Sequence, residues 1–294
     1  MACPAGRLLA FSPAGAFPHS MPLEVENMKF TVIGGDGRIV QLVEMLRRDG
    51  HRVSPYALER ELICSAAPDF DGSDGVILPL PAEKNGALFA PFSDKKQDFS
   101  TIFAEIPPKT RVFAGKASHG LRGLCAEKGL ILHDYFLRED FTLRNARLTA
   151  EGAISLLMSA APQALLGRRV LIYGFGRIGR ALARRLLALE TKVTVCARDP
   201  LQRMEARMLG CADADFSARP EADYVLNTVP LPHLSAEEFP GCICLELASP
   251  PYGFEPGSIG SAVMDGAALP GRYAPRSAAE AIRDTIYNIL EEEI

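Results

Sequence analysis

The sequence predicts an α/β protein of two units with parallel sheets, joined by one long helix and closed by a terminal helix. Three observations carry that prediction. Short β-branched runs alternate with stretches of helical periodicity through both halves of the chain. A longer helical segment at residues 148–167 interrupts the alternation once. A glycine sextet, GFGRIG at 174–179, falls between a strand and a helix.

The elements follow in order. The run KFTVIGG (29–35) ends on glycines, RIVQLVEMLRRDG (38–50) has helical spacing, and HRVSPY (51–56) is extended again. DGVILPLP (74–81) is a buried strand stopped by prolines. RVFAG (111–115) and LILHD (130–134) flank the helix-like SHGLRGLCAEKG (118–129). In the linking segment, Thr149 is read as an N-cap, with Gly152 where a capping box would place Glu. The second series runs RRVLIYGFG (168–176), KVTVCAR (192–198), ADYVLNTVP (222–230) and CICLELASP (242–250). The last segment, 277–293, is an amphipathic helix with Ile282, Ile286, Ile289 and Leu290 on its buried face. Residues 1–27 are broken by prolines and read as a disordered extension, with Met28 opening the first strand.

Composition narrows the function classes. Of 294 residues, 48% are hydrophobic and 23% charged, as in globular proteins. A net charge of −4 argues against a nucleic-acid partner. No apolar run is long enough to span a membrane. Seven cysteines at scattered spacings fit a reducing cytoplasm and give no metal cluster.

In the strand–turn–helix context, the sextet predicts a dinucleotide site formed by Gly174, Phe175, Gly176, Arg177, Ile178 and Gly179. Gly174 permits the turn, Gly176 leaves room for a pyrophosphate, and Gly179 lets helix and strand approach. An acid at the end of the next strand would bind the ribose of NAD, but the chain has Ala197 and Arg198 there. This favours NADP, whose 2′-phosphate an Arg can grip, with Arg203 in support. NAD stays open because Asp199 follows. Thr228, Val229 and Pro230, with Ala248 and Ser249, end the later strands and are expected beside the nicotinamide. The earlier turn, IGGDGR (33–38), lacks the spacing for a dinucleotide. Its helix start and Arg38 suit a carboxylate as well as they suit a purely structural turn.

Several stretches together resemble the family of the dipicolinate synthase A subunit: FTVIGGDGR, LTAEGAI, GFGRIGRALA, VCAR, NTVP, LELASPP and ALPGRYAPRSAAEAI. The resemblance covers residues 28–294. It implies a flavodoxin-like substrate domain at 28–147, completed by the terminal helix. It implies a Rossmann domain with the linking helix at 148–276. It further implies NADP-dependent oxidation of dihydrodipicolinate, or a hydrated precursor, to the dipicolinic acid of bacterial spores. The flavoprotein-like B subunit of dipicolinate synthase is the implied partner, and a homo-oligomer stays open. Two departures stand out: Pro250 where the family is expected to have Arg, and Glu190 where a Gly usually closes the fingerprint helix.

Such an oxidation removes a hydride and a proton from a ring with two carboxylates. Arg38, Arg272 and Arg276 are the candidate substrate-binding cations. His119 is the first candidate base and Glu151 the second, with Asp36 as an orienting group. Two other readings compete. D-2-hydroxyacid dehydrogenases resemble the chain in fold but use an Arg, a Glu and a His in the Rossmann half, where His233 is this chain's one histidine. The second is a non-catalytic NADP-sensing binding protein.

Overall fold

The structure is a computed structural model and describes residues 27–293. Apart from Asn27, the expected N-terminal extension lies outside the described residues. The first unit contains β1 (Lys29–Ile33), α1 (Gly37–Arg48), β2 (Arg52–Tyr56), β3 (Gly75–Ile77), a small hairpin of β4 (Glu83–Lys84) and β5 (Ala87–Leu88), α2 (Phe99–Ala104), β6 (Arg111–Ala114), α3 (His119–Glu127) and β7 (Ile131–Asp134). Its sheet is parallel in the order β2-β1-β3-β6-β7. With the hairpin set aside, that is the flavodoxin-like order.

The long helix α4 (Glu139–Ala160) leads to β8 (Arg169–Tyr173), α5 (Arg177–Ala188), β9 (Lys192–Cys196), α6 (Pro200–Leu209), β10 (Ala212–Ala214), β11 (Tyr224–Asn227), β12 (Ile243–Glu246) and β13 (Val263–Asp265). This second sheet is also parallel, in the order β10-β9-β8-β11-β12-β13. It is the doubly wound dinucleotide-fold order, with the reversal between β8 and β11. The chain ends with α7 (Leu269–Tyr273) and α8 (Pro275–Glu291).

One helix serves both cores. Phe141, near the start of α4, packs with Ile39, Leu42 and the terminal-helix residues Ile282 and Ile286. Ala150, Ala153, Ile154 and Leu157, further along, pack with Val170, Leu182 and Leu186. The expected helix start is corrected: α4 begins at Glu139, nine residues before 148. Thr149 is therefore mid-helix, and its hydroxyl donates to the Asn145 carbonyl at 2.8 Å. Gly152 also gains a reason. A Cβ there would lie 2.9 Å from Leu269, so the missing side chain lets α7 cross α4 closely.

Glu190 ends α5 with φ at 58°, in the left-handed region that glycine tolerates and other residues enter only with strain. Its amide donates to Leu187 and its carbonyl accepts from Gly167 at 2.9 Å, which fixes the conformation. Glu190→Gly should raise stability by about 1 kcal/mol, a Tm gain of about 2 °C by calorimetry. A lower Tm would mean that the backbone here is unstrained.

Candidate dinucleotide and substrate site

The three glycines of the sextet have three different surroundings. Gly174 has φ of +91°, and a Cβ there would lie 2.5 Å from Val229 and 2.6 Å from Thr228. A Cβ on Gly179 would lie 2.3 Å from the Gly174 carbonyl oxygen. Around Gly176, by contrast, a Cβ would meet no atom within 4 Å. Two glycines are therefore required by the protein's own packing, and the third faces open space. Helices α1, α3 and α6 start on Asp36, Ser118 and Asp199, whose side chains accept first-turn N–H groups. Helix α5 starts on Gly176 with no side-chain cap. Its first-turn donors and the positive end of its dipole point into that space, which fits a pyrophosphate. Phe175 is buried, so it offers only backbone. Arg177 pairs with Glu139 at the start of α4, its Nε 2.9 Å from the carboxylate. Ile178 is half-buried beside them.

Ala197 is buried at the end of β9 and Arg198 is exposed after it. The acids nearby are all engaged. Asp199 caps α6 by accepting the Leu201 amide at 2.8 Å. Asp215 accepts from Ser217 and from Arg203 at 3.1 Å. Asp213 pairs with Arg207 at 2.9 Å. Arg203, expected in support of Arg198, is paired with Asp215. Among the described residues Arg198 has no carboxylate partner, so its charge is uncompensated. It lies over the ring of Phe216 at 5.4 Å.

Across the β8/β11 junction, Thr228 donates to the Tyr173 carbonyl at 2.8 Å, which seats the 228–230 loop beside Gly174. Behind that loop is a buried acid that the sequence reading missed. Glu246 is 2% exposed. One of its oxygens accepts from Asn227 at 2.7 Å and from the Ala248 amide at 2.8 Å. The other accepts the Gly253 and Phe254 amides at 2.8 and 2.9 Å. Asn227 is itself fully buried, donates to the Val229 carbonyl and accepts the Val229 amide. One carboxylate–amide pair thus fixes both loops expected beside the nicotinamide, including Val229, Pro230, Ala248 and Ser249. The signal was an acid inside the apolar run CICLEL.

The first unit presents its own face. The Gly34 turn is covered by the protein, since a Cβ there would lie 3.1 Å from Leu88, Phe89 and Ala90. Arg38 is buried. Its Nε and one terminal nitrogen donate to Asp36 at 2.9 and 2.7 Å, and the same nitrogen donates to the Leu80 carbonyl. Gly271 of α7 lies directly on this pair. The expectation that Arg38 takes a substrate carboxylate is corrected on that ground: Asp36 already satisfies it under α7. Asp36 is likewise engaged, as cap and as partner of Arg38.

Glu151 is also corrected. It is exposed and paired with Arg185 at 2.7 Å, about 12 Å along α5 from the helix start by helical rise. Arg272 donates to the carbonyls of Asp265 and Ala267, at the end of β13. Arg276 is exposed at the start of α8, with Glu280 3.6 Å away as its ion-pair partner. Its neighbour Pro275 abuts Gly37, which places Arg276 at the start of α1. His119 is the first residue of α3, exposed, at the carboxyl end of β6. The loop before it is held by Asp134, which accepts the Lys116 and Ala117 amides at 2.9 and 3.0 Å.

Comparison with known proteins gives matches in both halves of the chain. Residues 29–136 match the family described as the N-terminal domain of the dipicolinate synthase A subunit. Residues 144–237 match the NAD-binding domain of D-isomer specific 2-hydroxyacid dehydrogenases. The dipicolinate synthase A subunit of Bacillus subtilis is 26% identical over 291 residues, covering 90% of this chain and 96% of that protein. The crystal structure of the dipicolinate synthase A subunit from Bacillus halodurans superposes with a TM-score of 0.78 at 23% identity, over 90% of this chain and 98% of that one. A transhydrogenase from Sinorhizobium meliloti shares the fold with a TM-score of 0.65 at 16% identity, over 90% and 85% of the two chains. The resemblance to the dipicolinate synthase A subunit therefore extends through both units.

Glu246→Gln keeps the shape but turns one oxygen into an amino group facing N–H donors. It should cost about 1.5–3 kcal/mol in denaturant unfolding. A cost below about 0.5 kcal/mol would show that the carboxylate charge is not needed there.

Proposed function

We propose that this chain is the NADP-dependent dehydrogenase component of a dipicolinate synthase, oxidising dihydrodipicolinate or its hydrated precursor to dipicolinic acid. The observation that carries the cofactor half is the uncompensated Arg198 beside an uncapped, unfilled glycine turn. The family match of the first unit supports the substrate. The bound nicotinamide would accept the hydride. The chain's own residues do the rest: the turn 174–179 holds the pyrophosphate, and the Asn227–Glu246 pair holds the 228–230 and 248–249 loops against the nicotinamide side.

The dicarboxylate is proposed to lie at the carboxyl ends of both sheets. Arg272 and Arg276 are its proposed cations, both exposed at the end of α7 and the start of α8, whereas Arg38 is buried and held by Asp36. His119, at the start of α3 behind a loop anchored by Asp134, is the proposed proton acceptor. Aromatisation is itself favourable, so the base need not be strong. The reading carries with it the flavoprotein-like B subunit as partner and a cytoplasmic setting.

The full chain, given dihydrodipicolinate and NADP, should produce NADPH fluorescence; cofactor binding without turnover would favour the NADP-sensing alternative. Arg198→Ala should weaken NADP about 10- to 150-fold and leave NAD nearly unchanged by titration calorimetry. Equal weakening of both would remove Arg198 from the 2′-phosphate.

A further inference from the structure

Arg198 is an exposed, flexible side chain, and such a group loses rotamer freedom when it grips a ligand. The structure supplies a way to reduce that loss. Its guanidinium carbon lies 5.4 Å from the centre of the Phe216 ring. Phe216 stacks on His233 with centroids 4.2 Å apart and planes 23° from parallel. Tyr173 sets its edge against both rings, at 6.0 and 5.5 Å. His233 is fixed in turn by the Leu231 carbonyl at its Nδ1. Burial holds the His233 imidazole below its usual pKa, which favours the uncharged ring beneath the cation.

The stack joins three separate strand ends. Arg198 follows β9, Phe216 follows β10 and His233 follows β11. The same segment also restrains an acid of its own. Asp215, adjacent in sequence to Phe216, is bonded to Ser217 and Arg203 instead of Arg198.

We infer that Phe216 is a specificity-determining positioning residue: its ring holds Arg198 ready for the ribose 2′-phosphate, and so sets the preference for NADP over NAD. The inference rests on the proposed role of Arg198 and adds to it the group through which that Arg acts. A cation–π contact at a partly exposed site corresponds to a change of about 3- to 10-fold in affinity. Because NAD lacks the phosphate, only the NADP side of the ratio should move.

The test is the ratio of NADP to NAD affinity, by titration calorimetry on the full chain, with Arg198→Ala measured alongside. Phe216→Met keeps the volume and loses the ring face, and should lower the ratio about 3- to 10-fold with NAD affinity unchanged. Phe216→Tyr keeps the ring and should keep the ratio. If Phe216→Met does not fold, Phe216→Leu repeats the measurement. An unchanged ratio in the folded Met or Leu variant, while Arg198→Ala collapses it, overturns the inference and leaves Arg198 in place. A ratio untouched by Arg198→Ala overturns both.

Discussion

The carbonyl oxygen of Gly174 occupies the place where a side chain on residue 179 would begin. A Cβ there would be 2.3 Å away, far inside any real contact. This close approach of β8 to α5 sets the rest of the site. It brings the first turn of α5 directly over the strand end, so its free amides converge on the space beside Gly176. It also draws Val229 and Thr228 against Gly174, which brings the β11 loop to the same point. The reversal of strand order between β8 and β11 then leaves a crevice at the carboxyl ends of the strands.

Around that turn the protein uses buried polar groups as fasteners. Glu246 is an acid in an apolar layer, and it is tolerated because each oxygen accepts two hydrogen bonds. The first unit repeats the device. Asp134 ties the loop before His119, and Asp36 ties Arg38 beneath α7. In both units the charges nearest the backbone are consumed in holding loops. Arg198, Arg272, Arg276 and His119 stand exposed outside these fasteners.

Much of this was legible in the sequence because it depends on local pattern. The strands flanking each turn, the sextet and the terminal helix follow from periodicity and glycine spacing. The start of α4 did not, for a specific reason. Its N-cap Arg138 and its second-turn Arg144 pair with Glu292 and Asp284 near the end of the chain, so the helix start looks polar where it is partnered at long range. The edge strands β10 and β13 are three residues each, too short for alternation to register. The occupation of Arg38 by Asp36 and by the Leu80 carbonyl, 42 residues away, has no local pattern, and Glu151 was misplaced by the same error that started its helix late. Phe216 and His233 stand in loops and meet only through the sheet order. The acid at 246 was visible, as a charge in an apolar run, and was read only as part of a strand.

The central claim is that the space beside Gly176 is reserved for the pyrophosphate of a dinucleotide. Gly176→Val tests it most directly, because a Cβ there meets no protein atom within 4 Å. Titration calorimetry with NADP and NAD, with circular dichroism and a thermal melt as controls, should show a native-like protein that has lost both cofactors. A folded Gly176→Val protein that binds either cofactor with undiminished affinity would contradict the account.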